Sequence, residues 1–449
     1  MSACLVKVVS VDVHRRKFPL RIPFVVAGET LTHVEQVSVC VRLEGAGGVA
    51  LGRAANSPSA IWFDKERSAS VVGTELSASL DHAIQAALQA PRTTAFALAA
   101  RLDDAQAKWA ACERERSAAA VPDVVAAFGP ALLDRAVIDA LCRLTGMSLA
   151  QSVRANVLGV DNRLSPELNS DGIAQWMSSL MPAERIAVRH TVTGLDQLSP
   201  SRGGKAPDDG LPFFMADVVA AYGNRFFKLK MGGDFAHNRQ FIDELCAVMV
   251  GFPGNDWGVT GGCNECFDSS EEFWEMLERI RSTPSTKDFW ERIFYVEQPI
   301  HRRHWLRERV GDVGKPVIID ETEGRYDDAA RVLELGYPGV SAKSVKGFYK
   351  ALLNAANGRF VTGEDMNHPP GLALQQDLAT ALLLGLPRIE KNGHHFIGAV
   401  QPDGFTAPQV AAYPELYVQD RSAVRLRVEE GDARLGSAMH RPGFVSDVA

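Results

Sequence analysis

No apolar run in this chain is long enough to cross a bilayer, which takes about 20 residues. Basic charge is scarce too. Lys and Arg number 48 against 55 Asp and Glu, a formal net charge of -7, and nucleic acid is therefore not expected as a partner. Cysteine is sparse and odd in number, at 4, 40, 112, 142, 246, 263 and 266, which argues against a disulfide framework and for a reducing compartment. The opening MSACLVKVVSVDVHRRKF lacks the basic start, long apolar stretch and small-residue cleavage site of a signal peptide, so a cytoplasmic protein with no membrane partner is expected. No GxGxxG loop follows an early strand, which disfavours a doubly wound, nucleotide-binding sheet. Cys263 and Cys266 make a single CxxC without the second ligand pair that a closed zinc site needs.

What is present divides into two rhythms. With 449 residues, 46% of them hydrophobic, the chain has material for one large domain and a smaller one. Residues 1–150 run strand, turn, strand (VKVVSVDVHRRKF, VEQVSVCVRLE, GAGG, VALGRAA) and then turn helical. The last of those helices, GPALLDRAVIDALCRLTG, carries an apolar stripe and stops at Gly146, a natural C-cap. This reads as an α+β capping unit.

Across 151–405 strands and helices alternate. The expected strands are IAVRHTV, RFFKLKM, WGVTGGC, RIFYVEQ, PVIIDE, GVSAKSV, RFVTGED and, more weakly, PRIEKNGHHF. The segments between them, including HWLRERVG, read as helices. Eight such repeats predict an α/β fold with a (β/α)8 barrel, whose functional residues sit at the C-terminal ends of the strands. One long loop, TGLDQLSPSRGGKAPDDGLP, follows the first barrel strand and reads as a lid or a plain insertion. Residues 406–449 are expected to fold back on the cap.

The strand ends carry the chemistry. They read Lys228 and Lys230, Gly262 and Asn264, Glu297, Asp320 and Glu321, Lys343, then Glu364 and Asp365. Side chains alternate along a strand, so Lys228 and Lys230 share a face. Mutual repulsion and partial burial lower a lysine pKa, which is how an amine becomes a general base. Glu297 and Asp320 end apolar runs, where a carboxylate needs a metal or a lysine for company. In a barrel the second and sixth strands face each other, so Lys343 would lie across a bound substrate from the lysine pair.

This ordered set resembles the enolase superfamily, in its mandelate racemase and muconate lactonizing branch. The resemblance covers nearly the whole chain. It rests on Lys228-Leu229-Lys230, Val296-Glu297-Gln298-Pro299, Asp320-Glu321 and Lys343, with LLDRAVIDALCRLTGMSLAQ as the helix before the barrel. It implies removal of the proton α to a carboxylate, giving an enediolate held by Mg2+. Lys230 is then the base on one face, Lys228 lowers its pKa, and Lys343 is the acid or base on the other face. Glu297 and Asp320 are implied metal ligands, Glu364 and Asp365 substrate contacts. The expected partner is a small-molecule carboxylate substrate, and relatives are usually homo-oligomers. Epimerisation or racemisation, cycloisomerisation and dehydration all suit such a lysine pair.

The chain departs from its relatives at GVTGGCNECF, where Gly262 stands in the place of the first metal-ligand Asp. Asn264, Glu265, Asp365 or a water could replace it, and Asn264 is the favoured stand-in. The alternatives are a rebuilt metal shell, metal-free catalysis in which the lysines stabilise the enolate, or a silent relative that only binds carboxylates. A Schiff-base lysine enzyme is a further, less favoured reading. Substrate selection is expected from Arg21–Thr30, from the stretch near Trp62, and from the long loop with Arg202 and Lys205. His394 and His395 read as structural or substrate-edge residues.

Overall fold

β-Branched and aromatic runs bounded by glycine and charge become the strands, and the architecture follows from how they pair. The structure is a computed structural model and describes residues 3–26, 29–116, 120–192, 206–250, 256–364, 368–391, 406–420 and 423–446.

The cap begins with an antiparallel sheet, β1 (Val6–Val26), β2 (Glu29–Gly45) and β3 (Gly48–Asn56), in that order. The long helix Asp123–Thr145 packs across it, almost wholly buried, and closes on Gly146 in the left-handed conformation at φ 67°. Its approach depends on Gly52. A Cβ there would come within 2.1 Å of the Ala136 carbonyl. Arg135 from this helix, itself buried, donates to the Ala55 carbonyl and to Gln376 Oε1 and so ties cap to barrel.

Eight parallel strands close the barrel: β4 (Arg185–Val192), β5 (Phe226–Lys230), β6 (Gly258–Gly262), β7 (Ile293–Glu297), β8 (Val317–Ile319), β9 (Gly339–Ala342), β10 (Phe360–Gly363) and β11 (Arg388–Glu390). Each pairs with the next, and β11 returns to β4 through Arg388↔Ala187 and Ile389↔Val188. All eight strands expected from the sequence are present. HWLRERVG is not a helix. Only isolated turns form over 302–307, and Val310 and Gly311 instead donate to the Leu335 carbonyl. Like charges at Arg303 and Arg307, one helical turn apart, oppose a helix there.

After the barrel, β12 (Tyr417–Asp420) and β13 (Ala423–Leu426) form a hairpin, and β14 (Asp432–Arg434) lies antiparallel on the start of β4. The chain then reaches the cap helix, where the Phe444 amide and Ser446 hydroxyl donate to the Asp139 carboxylate. No described helix is long and apolar enough to cross a membrane.

Candidate active site

Inward positions of the barrel strands are two residues apart, so a strand such as β5 places one polar side chain deep, Lys228, and one near the mouth, Lys230. The deep level is unusually charged. Arg189 on β4, fully buried, donates to Thr260 Oγ1 at 2.8 Å, the Gly363 carbonyl at 2.6 Å and Glu364 at 2.6 Å, with its guanidinium 5.4 Å from the centre of the Tyr295 ring. Tyr295 also hydrogen-bonds Glu364, and Thr191 hydrogen-bonds Glu390. Arg189, Lys228 and Tyr295 together hold the Glu364 carboxyl below the usual range despite its burial, which acts the other way. Glu364, expected to meet substrate, therefore lies beneath the site.

Lys228 sits in the midst of three carboxylates. Its ammonium is ion-paired with Glu297, 2.9 Å from Glu390 Oε2 and 3.1 Å from Glu364 Oε2. Burial alone would discharge it, but Glu297, Glu390 and Glu364 outweigh that and raise its pKa well above the ordinary lysine value. Lys228 is a fixed cation.

Two residues on, Lys230 reaches the barrel mouth and is only partly covered. Its Nζ donates to Asn264 Oδ1 at 2.6 Å, and Asn264 Nδ2 donates to Glu321 Oε1 at 2.5 Å. Burial first, and then the Lys228 charge, lower the Lys230 pKa. Asn264 adopts φ 45°, a left-handed backbone that asparagine tolerates, and this turns its amide between the two groups.

On the far side, Lys343 pairs with Asp320, and its ammonium lies 4.6 Å from the centre of the Trp62 ring. Ser341 and Trp62 Nε1 (3.1 Å) donate to the same Asp320 carboxylate, with Lys346 at 3.6 Å. Burial raises the Asp320 pKa, but Lys343 and Lys346 overcome it and hold the carboxyl well below its usual range. Asp320 in turn raises the Lys343 pKa against the effect of burial. Glu297 and Glu321 move upward, each through burial first. Since β5 and β9 are four strands apart in a closed ring of eight, Lys230 and Lys343 approach the mouth from opposite sides.

The cap covers this mouth. Lys65 Nζ donates to the carbonyls of Asn264 (3.0 Å) and Glu265 (2.8 Å), while Arg302 forks onto Glu265 and reaches the carbonyls of Phe63 and Trp62. Glu265 is thereby directed at Arg302, away from the lysines. Arg21 is engaged by Asp209 and the carbonyls of Leu211 and Pro212, pinning the end of the long loop to β1. Asp365, Arg202, Lys205, His394 and His395 lie outside the described residues. The thiol of Cys263 is kept protonated by its hydrogen bond with Cys266 and by burial.

Carboxylate oxygens of Glu297, Asp320 and Glu321 lie within 4.8 Å of one another, close enough to share a cation. The oxygens suit a hard ion such as Mg2+. Their surroundings suit it less. Lys228 and Lys343 already pair with Glu297 and Asp320, Asn264 Oδ1 is taken by Lys230, and Gly262 offers no oxygen.

No protein-family model matches the chain, and no curated protein does. Solved structures do. A dipeptide epimerase from Enterococcus faecalis, complexed with Mg and the dipeptide L-Leu-L-Tyr, superimposes with a TM-score of 0.61 at 14% identity, covering 98% of this chain and 99% of that one. A mandelate racemase/muconate lactonizing protein from Herpetosiphon aurantiacus gives 0.58 at 18% identity, over 95% and 98% of the two chains. The 2-chloromuconate cycloisomerase from Rhodococcus opacus gives 0.58 at 16%, over 99% and 97%. The fold is the one these solved structures share. At such identities the likeness establishes the fold alone, and the residues of this barrel must carry the chemistry on their own.

Sequence reasoning missed Arg189, Tyr295, Glu390, Ser341 and Trp62 as members of the network. Four of them had a readable signal. Ser341 and Tyr295 stand two residues before Lys343 and Glu297, and Arg189 and Glu390 are charges within expected strands.

Proposed function

We propose that this chain removes the α-proton of a small carboxylate substrate, as an epimerase or racemase, a cycloisomerase or a dehydratase. The observation that carries the reading is the contrast between two lysines facing each other across the barrel mouth. Lys230 has a depressed pKa and Lys343 a raised one.

Lys230 as the neutral amine takes the proton. The α C–H bond breaks, its electron pair moves into the enolate, and Nζ becomes an ammonium. The enolate forms beside Lys343, which is charged before the reaction starts and costs no reorganisation. A proton delivered from Lys343 arrives on the face opposite Lys230 and inverts the centre. From the same enolate, loss of a β-leaving group gives the lyase outcome. Breaking the β-carbon–oxygen bond of a lactone ring, with the pair leaving on the carboxylate, or the reverse addition, gives the cycloisomerase outcome. Mg2+ bound by Glu297, Asp320 and Glu321 would add positive charge to the carboxylate, but the pairing of Glu297 and Asp320 with lysines does not fit such an ion, and no step here depends on it. The seven cysteines are free, in keeping with a cytoplasmic setting. A homo-oligomer is the expected assembly.

The test is solvent-deuterium incorporation at the α-carbon of a panel of dipeptides, N-acyl amino acids, 2-hydroxy acids and muconates, read by mass spectrometry. Incorporation in the wild type that drops by about 10²-fold or more in Lys230→Ala is expected for a lost general base. Equal incorporation in the two proteins would refute Lys230 as the base, and none with any substrate would leave a carboxylate-binding protein.

A further inference from the structure

The space beside Gly262 is filled, and what fills it is a lysine. A Cβ built on Gly262 would lie 2.6 Å from Lys228 Cε and 3.6 Å from both Cδ and Cγ. Any side chain at 262 would therefore displace the Lys228 stem. The glycine and the lysine conformation are one feature: the missing side chain lets Lys228 lean across the end of β6. It brings the ammonium against Glu297 on β7, with Glu390 at 2.9 Å and Glu364 at 3.1 Å closing the other sides. The ammonium donates to Glu364 Oε2 and Glu390 Oε2 and is ion-paired with Glu297. Lys228 is 1% exposed, and Glu297, Glu364 and Glu390 are 1, 1 and 2% exposed.

From this we infer that the Lys228 ammonium is the resident cation of the acidic ring, and that the chain needs no divalent metal to hold Glu297, Asp320 and Glu321 together. Cationic side chains already stand against most of the carboxylates. Arg189 faces Glu364, Lys228 faces Glu297 and Glu390, Lys343 faces Asp320, Lys346 faces Glu323, and Lys230 reaches Glu321 through Asn264. A divalent ion inserted among them must expel an ammonium from a buried carboxylate, and Mg2+ must also give up water that a side-chain oxygen at 262 is not there to replace. The inference deepens the proposed α-proton chemistry by naming what neutralises the site, but it is tested by binding and stands or falls without a substrate.

The experiment titrates the wild-type protein with Mn2+, followed by the paramagnetic signal of the free ion, and records the melting midpoint with Mg2+ and with EDTA. The wild type is expected to leave the Mn2+ signal undiminished up to ~1 mM, the concentration matching a Kd that confers only about 4 kcal/mol. Its melting midpoint should not move with either addition, since only binding to the native state shifts it. The variant Lys228→Ala/Gly262→Asp, which removes the ammonium and restores an oxygen donor, is expected to bind one Mn2+ at least about tenfold more tightly. One-to-one binding at micromolar Mn2+ by the wild type would overturn the inference. So would equally weak binding by wild type and a folded variant, since Lys228 would then not be what keeps the ion out. Should the variant not fold, the wild-type titration decides alone. Any α-exchange found with a substrate should survive EDTA, and its loss on chelation would also overturn the inference.

Discussion

Removing Arg189 and Glu364 together should cost less than the sum of the two single losses. Both side chains are fully buried and joined at 2.6 Å. Opposite charges with centres about 4 Å apart attract by about 4 kcal/mol at an effective dielectric near 20. Breaking a buried pair by deleting one partner costs about 3–5 kcal/mol by measurement on other proteins. Lys228 and Tyr295 remain on Glu364 in Arg189→Met, so the lower end, about 3 kcal/mol, is expected. Glu364→Gln strands the guanidinium and should lose a similar amount. In the double variant neither charge is left alone, and a coupling of about 2–3 kcal/mol should appear in the four-protein cycle. Urea unfolding followed by circular dichroism and by tryptophan fluorescence gives the energies, provided the two transitions coincide. The sign with pH follows from Glu364, whose folded pKa lies below its unfolded value. Its contribution is present above the ordinary carboxylate range and is lost as pH falls through the depressed folded pKa. The Arg189→Met penalty should accordingly be full at pH 7 and shrink in acid. A coupling below about 1 kcal/mol, or a penalty that grows in acid, would refute the assignment of the deep ion pair.

Trp62→Phe keeps a ring over Lys343 but loses the indole bond to Asp320, a charged hydrogen bond worth about 1.5–3 kcal/mol; melting should reveal this loss, with Trp62→Ala lower still. Turnover of any substrate found should rise as pH climbs through the lowered Lys230 pKa, below the ordinary 10.5, and fall only as Lys343 discharges above it. A pH–rate profile without the rising limb would remove Lys230 from the base role. Since Lys343 begins charged, the enantiomer whose α-hydrogen faces Lys230 should exchange faster at first than its mirror image, and equal initial rates by chiral chromatography would contradict that asymmetry.

The barrel was legible because each strand is a short apolar run ended by glycine or charge, and the order of those ends carried the site. Lys228, Lys230, Glu297, Asp320 and Lys343 could be named from that order and the period of two. Their partners could not. Lys228 meets Glu364 and Glu390 from strands on the other side of the barrel closure, and nothing in FFKLKMGG encodes which carboxylates surround it. Trp62 was legible only as part of a substrate-selecting stretch, because its bond to Asp320 depends on how the cap sits on the barrel. At Gly262 the sequence shows a missing oxygen, while the structure shows the Lys228 stem lying in the space.

The two lysines of one strand have the same side chain, share a face and meet opposite electrostatic fates, and depth along the barrel is the cause. At the lower position, Glu297, Glu364 and Glu390 converge and make the charged form of Lys228 the stable one. At the mouth, Lys230 finds a neutral amide at 2.6 Å, and after burial the strongest influence on it is the like charge of Lys228. Burial lowers the Lys230 pKa most, the fixed Lys228 charge adds to it, and Glu390, Glu297 and Glu321 oppose both. The deep carboxylates therefore act on Lys230 in two ways: directly upward, and downward by holding Lys228 charged. Glu364 belongs to this relay, held in place by Arg189 and Tyr295. Loss of a carboxylate at the deep level should thus alter the basicity of Lys230 without touching the substrate.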